Sequence, residues 1–169
     1  MSGRTPRDLF TDGHKRKFLV VVDESPEGET ALFYAARRAQ RTGGGLALLF
    51  VIAPPGMTHW LGVEEAFKEE QHNKARAVFR LLTRKLKNWG FDDLTPEEII
   101  REGQKAEEIG KLIEEDKDFG VLVLGASADP AGPGPLVSSL AAGTKAGTFP
   151  IPVTIVPGSL TLEEVAGLA

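Results

Sequence analysis

The feature that most limits the fold is a set of short apolar runs with no polar side. Phe18-Leu-Val-Val-Val22, Leu46-Ala-Leu-Leu-Phe-Val-Ile52 and Val121-Leu-Val-Leu124 are each too short for a buried helix. A strand that is apolar on both faces must be covered on both, which happens inside a parallel sheet flanked by helices. Two further segments complete the set. Residues 97–102 alternate around Ile99 and Ile100, which suits a sheet edge. Pro150-Ile-Pro-Val-Thr-Ile-Val156 is a last strand with prolines at its start, where strands tolerate them.

Helical periodicity fills the gaps. Ser25 and Pro26 supply an N-cap and a first-turn proline. Ala31, Leu32, Ala35, Ala36 and Ala39 then recur on one side, opposite Arg37, Arg38 and Arg41, until three glycines end the helix at 43–45. A long helix is expected from near Trp60 to Trp89, and a third after Gly103 with Ala106, Ile109, Leu112 and Ile113 as its stripe. A short one is expected over 136–146, and Ser159 or Thr161 caps a last one through Ala166. The alternation of strand and helix predicts the α/β class: an open, doubly wound, five-stranded parallel sheet with helices on both faces. Residues 17–157 form the single domain. A polar arm (1–16) reads as mobile, and 158–169 as a tail with a short helix.

Composition excludes several classes. The formal net charge of −4, with signs mixed along the chain, lacks the basic footprint of nucleic-acid binding. Without any cysteine there is no disulfide, thiolate catalysis or cysteine metal site. No apolar stretch approaches the roughly 20 residues that span a bilayer. Residues 1–17 lack the apolar centre of a signal peptide. The expectation is a cytoplasmic protein with neither membrane nor nucleic acid as partner.

In a doubly wound sheet, ligands sit beyond the carboxyl ends of the strands where the strand order reverses. That rule singles out Asp23 and Ser25, the segment 52–56, Gly103, and the loop 125–139 with Gly125, Ser127, Ser138 and Ser139. Glycines let a backbone approach a ligand, and hydroxyls and free amides at a helix start suit phosphate. Asp23 serves equally as a cap on the following helix. The loop's prolines stiffen it and donate nothing. Hydrolytic chemistry fits poorly. Asp129 and Pro130 break the nucleophile elbow around Ser127, and all three histidines (His14, His59, His72) precede it in the chain. Gly143-Thr-Lys145 lacks the spacing of a P-loop, and His59 and His72 are 13 residues apart, unlike a helical zinc pair.

With these residues placed, the chain resembles the universal stress protein family over about 17–157. The likeness rests on Asp23-Glu24-Ser25 after the first strand, the strand 46–52, the Glu102-Gly103 step, Val121-Leu-Val-Leu-Gly125, the Gly-Pro-Gly-Pro-Leu-Val-Ser-Ser-Leu segment at 132–140, and the closing strand. It implies an adenine nucleotide alpha hydrolase-like fold. It also implies an adenine nucleotide, ATP or AMP, or a related phosphorylated ligand, with magnesium if ATP is bound. By resemblance Asp23 lies near ribose and metal, the backbone at Leu46 meets adenine, and Gly125 and Ser139 approach the phosphates. The family's glycine motif places glycines at 128 and 138, where this chain has Ala128 and Ser138, each adding bulk. The resemblance also implies an edge-to-edge homodimer through 153–156. A nucleotide-free dimeric interaction module stands beside the nucleotide reading. So does a slow ATPase or a protein phosphorylating itself on Ser138 or Ser139.

Overall fold

In the computed structural model the described residues are 4–54 and 63–169. Five strands, β1 (Lys17–Val21), β2 (Gly45–Ile52), β3 (Glu97–Glu102), β4 (Phe119–Ala126) and β5 (Val153–Pro157), form one sheet in the order β3-β2-β1-β4-β5. Every neighbouring pair is parallel. The doubly wound α/β sheet expected from the apolar runs is therefore the fold. The order reverses at β1, which is flanked by β2 and β4.

The period of two along each strand divides the core. Phe18, Val20, Leu46, Leu48, Phe50 and Val123 face α1 (Pro26–Thr42), α2 (Val63–Asn88) and α5 (Leu162–Leu168). Leu19, Ala47, Leu49, Val51, Leu122 and Leu124 face α3 (Lys105–Glu115) and α4 (Pro135–Ala141). Both faces are closed, which is why those strands carry no polar side. β3 is the exposed exception at the edge.

Several boundaries differ from expectation. The expected start of α2 near Trp60 lies outside the described residues, as does His59. α4 stops at Ala141, and a 3-10 turn (Ala146–Thr148) follows separately. β5 begins at Val153: Pro150 and Pro152 lack the N–H a strand donates, although the Pro152 carbonyl still accepts from Leu122 N at 3.0 Å. Of the two candidate caps for α5, Thr161 takes the role, its Oγ1 accepting from Glu164 N at 3.1 Å.

The stretch read as a mobile arm makes defined contacts on the sheet's amino side. Arg7 donates to the Ile113 and Asp116 carbonyls at 2.8 and 3.3 Å, placing a cation on the carboxyl end of α3 where the helix dipole favours it. His14 Nδ1 meets Asp118 Oδ1 at 2.8 Å. Lys17, at the start of β1, pairs with Asp116 and Glu97 and lies 4.5 Å over the Phe119 ring. Burial would raise the Asp116 carboxyl, but the hydrogen bonds from Lys17 and from the Asp118 amide outweigh it and hold it below its ordinary value.

Candidate functional site

The pairing of β1 with β4 ends at Val20 and Val123, and beyond it a cleft of about 120 Å³ lies between the segments that follow the two strands. Asp23 and Ser25 line it from the β1–α1 turn, Gly28 from the first turn of α1, Gly125 from β4, Lys105 from α3, and the start of α4 through Pro135 and Val137. The topology gathers these from four distant parts of the chain, at the place the switch-point rule designates.

Asp23 holds its own turn. Its Oδ1 accepts from the Ser25 amide at 2.8 Å and from the Ser25 hydroxyl. Ser25 is the N-cap residue of α1, yet its side chain makes no capping bond. The carboxylate one turn back fixes the entry into the helix instead, by the side-chain-to-backbone bond typical of an Asx turn. One oxygen of Asp23 orders the helix start, and the exposed residue also borders the cleft.

Gly125 is required by packing before any ligand is considered. A Cβ at this position would strike the carbonyl of Glu27 in the first turn of α1, with the Glu27 carbonyl carbon 2.6 Å away. Gly103 follows β3 at φ +145°, a conformation side chains rarely adopt, and its N–H donates to Ile52 O at 2.9 Å. It ties the ends of β2 and β3 together but does not line the cleft.

The remaining predicted residues divide. Ser127 lies past β4, with its amide bonded to Pro133 O at 3.1 Å and its Oγ accepting from Asp129 N at 3.1 Å. Asp129 accepts from Ala131 N at 2.9 Å through Oδ1 and from Gly132 N at 3.0 Å through its carbonyl, so most of this loop's amides are bonded within it. Ser138 and Ser139 are exposed on α4 and are not part of the cleft wall. Leu46 is not brought to the site. It is buried beside Phe18 near the amino end of β2, whereas the end that reaches the ligand edge is Ile52.

Sequence reading missed Lys105 and Glu27. Among the described residues Lys105 is the only cation of the cleft wall, and Glu27 adds a second carboxylate to that of Asp23. Both sit in first helical turns, and a residue two positions after a strand-ending glycine is the signal that would have found Lys105. The first bond within α4 runs from Ser138 N to Gly134 O. The amides of Leu136 and Val137 therefore have no partner inside the helix, and Pro135 offers none. The cleft thus brings the Lys105 ammonium and the carboxylates of Asp23 and Glu27 beside the first turn of α4.

Among the described residues the imidazoles of His14 and His72 are taken by Asp118 and Glu102, at 2.8 and 2.7 Å. The described residues also contain no group of three His, Cys, Asp or Glu able to hold a metal, and no helix long and apolar enough to cross a membrane. A larger depression of about 630 Å³ runs between α3 and the segment 145–150. It is an open groove over Ala106, Gly110, Leu140 and Phe149 with mixed charges on its rim, and it lies away from the switch point. Topology and converging polar groups favour the smaller cleft.

A sequence model of the universal stress protein family matches residues 15–157. Among solved structures, universal stress protein UspA from Lactobacillus plantarum is similar at 18% identity, over 83% of this chain and 97% of that one, with a TM-score of 0.67. The universal stress protein from Archaeoglobus fulgidus in complex with dAMP is similar at 17% identity, over 84% and 97%, with a TM-score of 0.56. A universal stress protein family protein from Arabidopsis thaliana with AMP bound follows at 12% identity, over 84% and 91%, with a TM-score of 0.52. At such identities the likeness shows the fold. No curated protein matches the sequence.

Proposed function

The chain belongs to the universal stress protein family, and on that footing we propose that it binds an adenine mononucleotide, its phosphate in the cleft between β1 and β4. The observation that carries this reading is the convergence of Asp23, Ser25, Gly125, Lys105 and the amino end of α4 on one switch-point cleft. Support comes from the relatives solved with dAMP and with AMP.

The size and charge of the cleft favour a monophosphate over ATP. At about 120 Å³ it is well below the volume that encloses a drug-sized ligand. It would take the phosphate, with the nucleoside lying over the ends of β1 and β2. One lysine faces two carboxylates, so a triphosphate would be repelled unless its charge were screened. Asp23 fits as a single carboxylate ligand for a magnesium ion arriving with ATP, since that ion usually takes one or two carboxylates beside phosphate oxygens. The ion would supply that screening.

AMP is expected to raise the melting temperature saturably, and more than ATP does without magnesium. Lys105→Ala should weaken AMP binding about tenfold, the scale of one charge-assisted hydrogen bond; calorimetric titration measures it. No response to AMP, ADP or ATP at millimolar concentration would sink the reading. The self-satisfied loop 127–133 favours a second one, a ligand-free dimeric interaction module. Pairing through the free edge of β5, where Val153, Thr154 and Ile155 are half-buried, belongs to both. Ile155→Lys should then halve the mass measured by sedimentation, and an unchanged mass would remove that pairing.

A further inference from the structure

Helix α2 separates its charges along its length. Its first half carries Glu64, Glu65, Glu69 and Glu70, with Lys68 as the only lysine or arginine. From residue 74 onward it carries Lys74, Arg76, Arg80, Arg84, Lys85 and Lys87 and no acid. A helix dipole accounts for acids in the first turn and bases in the last, but its influence fades within a turn of each end. In a helix of 26 residues, Glu69, Glu70, Arg76 and Arg80 lie beyond that reach.

The arrangement works against the isolated chain. Glu65 and Glu69 are four residues apart, as are Arg76 and Arg80, and Arg80 and Arg84, each spacing setting like charges side by side. Three bases are neutralised within the molecule. Lys68 reaches Glu102 at 3.6 Å, Lys85 reaches Glu29 at 2.6 Å, and Lys74, which could have turned to Glu70, reaches Glu24 at 3.7 Å. Glu65, Glu69, Glu70, Arg76, Arg80, Arg84 and Lys87 are exposed and form no ion pair among the described residues. Small or apolar groups run between them: Ala66 and Ala77 are exposed, and Leu81 is 44% exposed.

We infer that the outer face of α2 is a self-complementary docking surface for a second copy of this chain, the two helices lying antiparallel about a two-fold axis between Asn73 and Ala77. In that arrangement Glu69 and Glu70 of each copy come opposite Arg80 and Arg84 of the other, so both halves are compensated at once. An isologous contact needs this pattern, one surface carrying both complements in reversed order. A polyanion would satisfy only the basic half and meet repulsion from the acidic half and from the net charge of −4. Incoming carboxylates have a place to lodge, a cleft of about 320 Å³ between α2 and β3 lined by Arg80, Thr83, Arg84, Lys87 and Glu98. α2 covers the β2–β3 side of the sheet, at the far end from β5, so the contact is separate from edge pairing and does not depend on nucleotide binding.

Sedimentation velocity at about 50 μM in about 20 mM and about 300 mM NaCl tests this, because screening shortens the reach of exposed charges over that range. The full chain is expected to show an association step that weakens about tenfold or more at the higher salt. R80E/R84E and E69K/E70K should each lose the step, and an equal mixture of the two should recover it. That recovery also shows that both variants are folded. Any β5 pairing is common to all samples and cancels. The inference is overturned by a wild type with no salt-dependent step, by R80E/R84E associating as wild type does, or by a mixture that fails to recover. Retention on an immobilised oligonucleotide that R80E/R84E loses, with no difference in mass, overturns it in favour of a polyanion surface.

Discussion

Gly125→Ala is expected to lower the melting temperature by about 6–12 °C. The added Cβ has no free direction, since it meets the carbonyl of Glu27, which is backbone. The first turn of α1 cannot retreat easily either. Asp23 and Ser25 tie its start, and Gly158 presses from the other side, where a Cβ would come 2.6 Å from Ala126 O and 2.9 Å from Glu27 Cβ. Overpacking against fixed backbone costs about 3 kcal/mol, and a chain of this size loses roughly 2–4 °C per kcal/mol. The same displacement would move the Asp23–Ser25 turn, so AMP affinity should fall with stability. Gly110→Ala is the control. A Cβ there meets nothing within 4 Å and the site lies inside α3, so stability should hold or rise by about 0.4–1 kcal/mol. A Gly125→Ala protein melting within about 2 °C of wild type would show that α1 and β4 are not held this closely.

Phe91→Ala should cost more, about 3–5 kcal/mol, the range for truncating a fully buried phenylalanine. Phe91 has no exposed surface and meets Phe33 edge to face at 5.6 Å, while Phe33 meets Trp89 the same way at 5.2 Å. The Arg37 guanidinium lies 4.8 Å over the Phe91 ring and 5.6 Å over that of Phe33. Among the described residues Arg37 Nε has no hydrogen-bond partner, while its Nη1 donates to Gln40 Oε1 at 3.0 Å, so the ring faces stabilise the Nε side of the cation. Truncating Phe91 thus leaves a cavity and removes a ring face from the half-buried Arg37 guanidinium. Thermal or urea unfolding measures the loss, and Phe91→Leu should restore more than half by refilling most of the volume. AMP affinity of the folded protein should be unchanged, because this cluster lies on the α1–α2 face away from the cleft. A loss below about 1 kcal/mol would mean that the surrounding helices collapse into the space.

The sheet was legible because each central strand is buried on both faces, which leaves a run such as Leu48-Leu-Phe-Val51 only one environment. Asp23, Ser25 and Gly125 were legible for a related reason: the end of a parallel strand is visible in the sequence, and the topology decides what gathers there. Leu46 misled because it stands near the amino end of β2, whereas a doubly wound sheet gathers its clefts at the carboxyl ends. The loop 127–133 misled because its glycines and hydroxyls suggest phosphate, whereas Asp129 already consumes the amides that phosphate would need. Lys105 and Glu27 were hidden because first helical turns converge only through packing. The contacts of Arg7 and His14 join residues more than 100 positions apart, a pairing no local pattern encodes.

The reversal of strand order at β1 also sets a sequence of events during synthesis. β1 can pair with β2 as soon as residue 52 has left the ribosome, but its other neighbour, β4, begins only at Phe119. At about 5–20 residues per second the interval lasts several seconds, during which an apolar strand edge has no native partner. The nascent chain must shield that edge or be shielded by a chaperone. A chain released only as far as Phe119 would present a β-α-β-α-β-α fragment with Asp23 already in its turn but without the walls from Gly125 and α4, so the cleft is among the last parts of the protein to come into being.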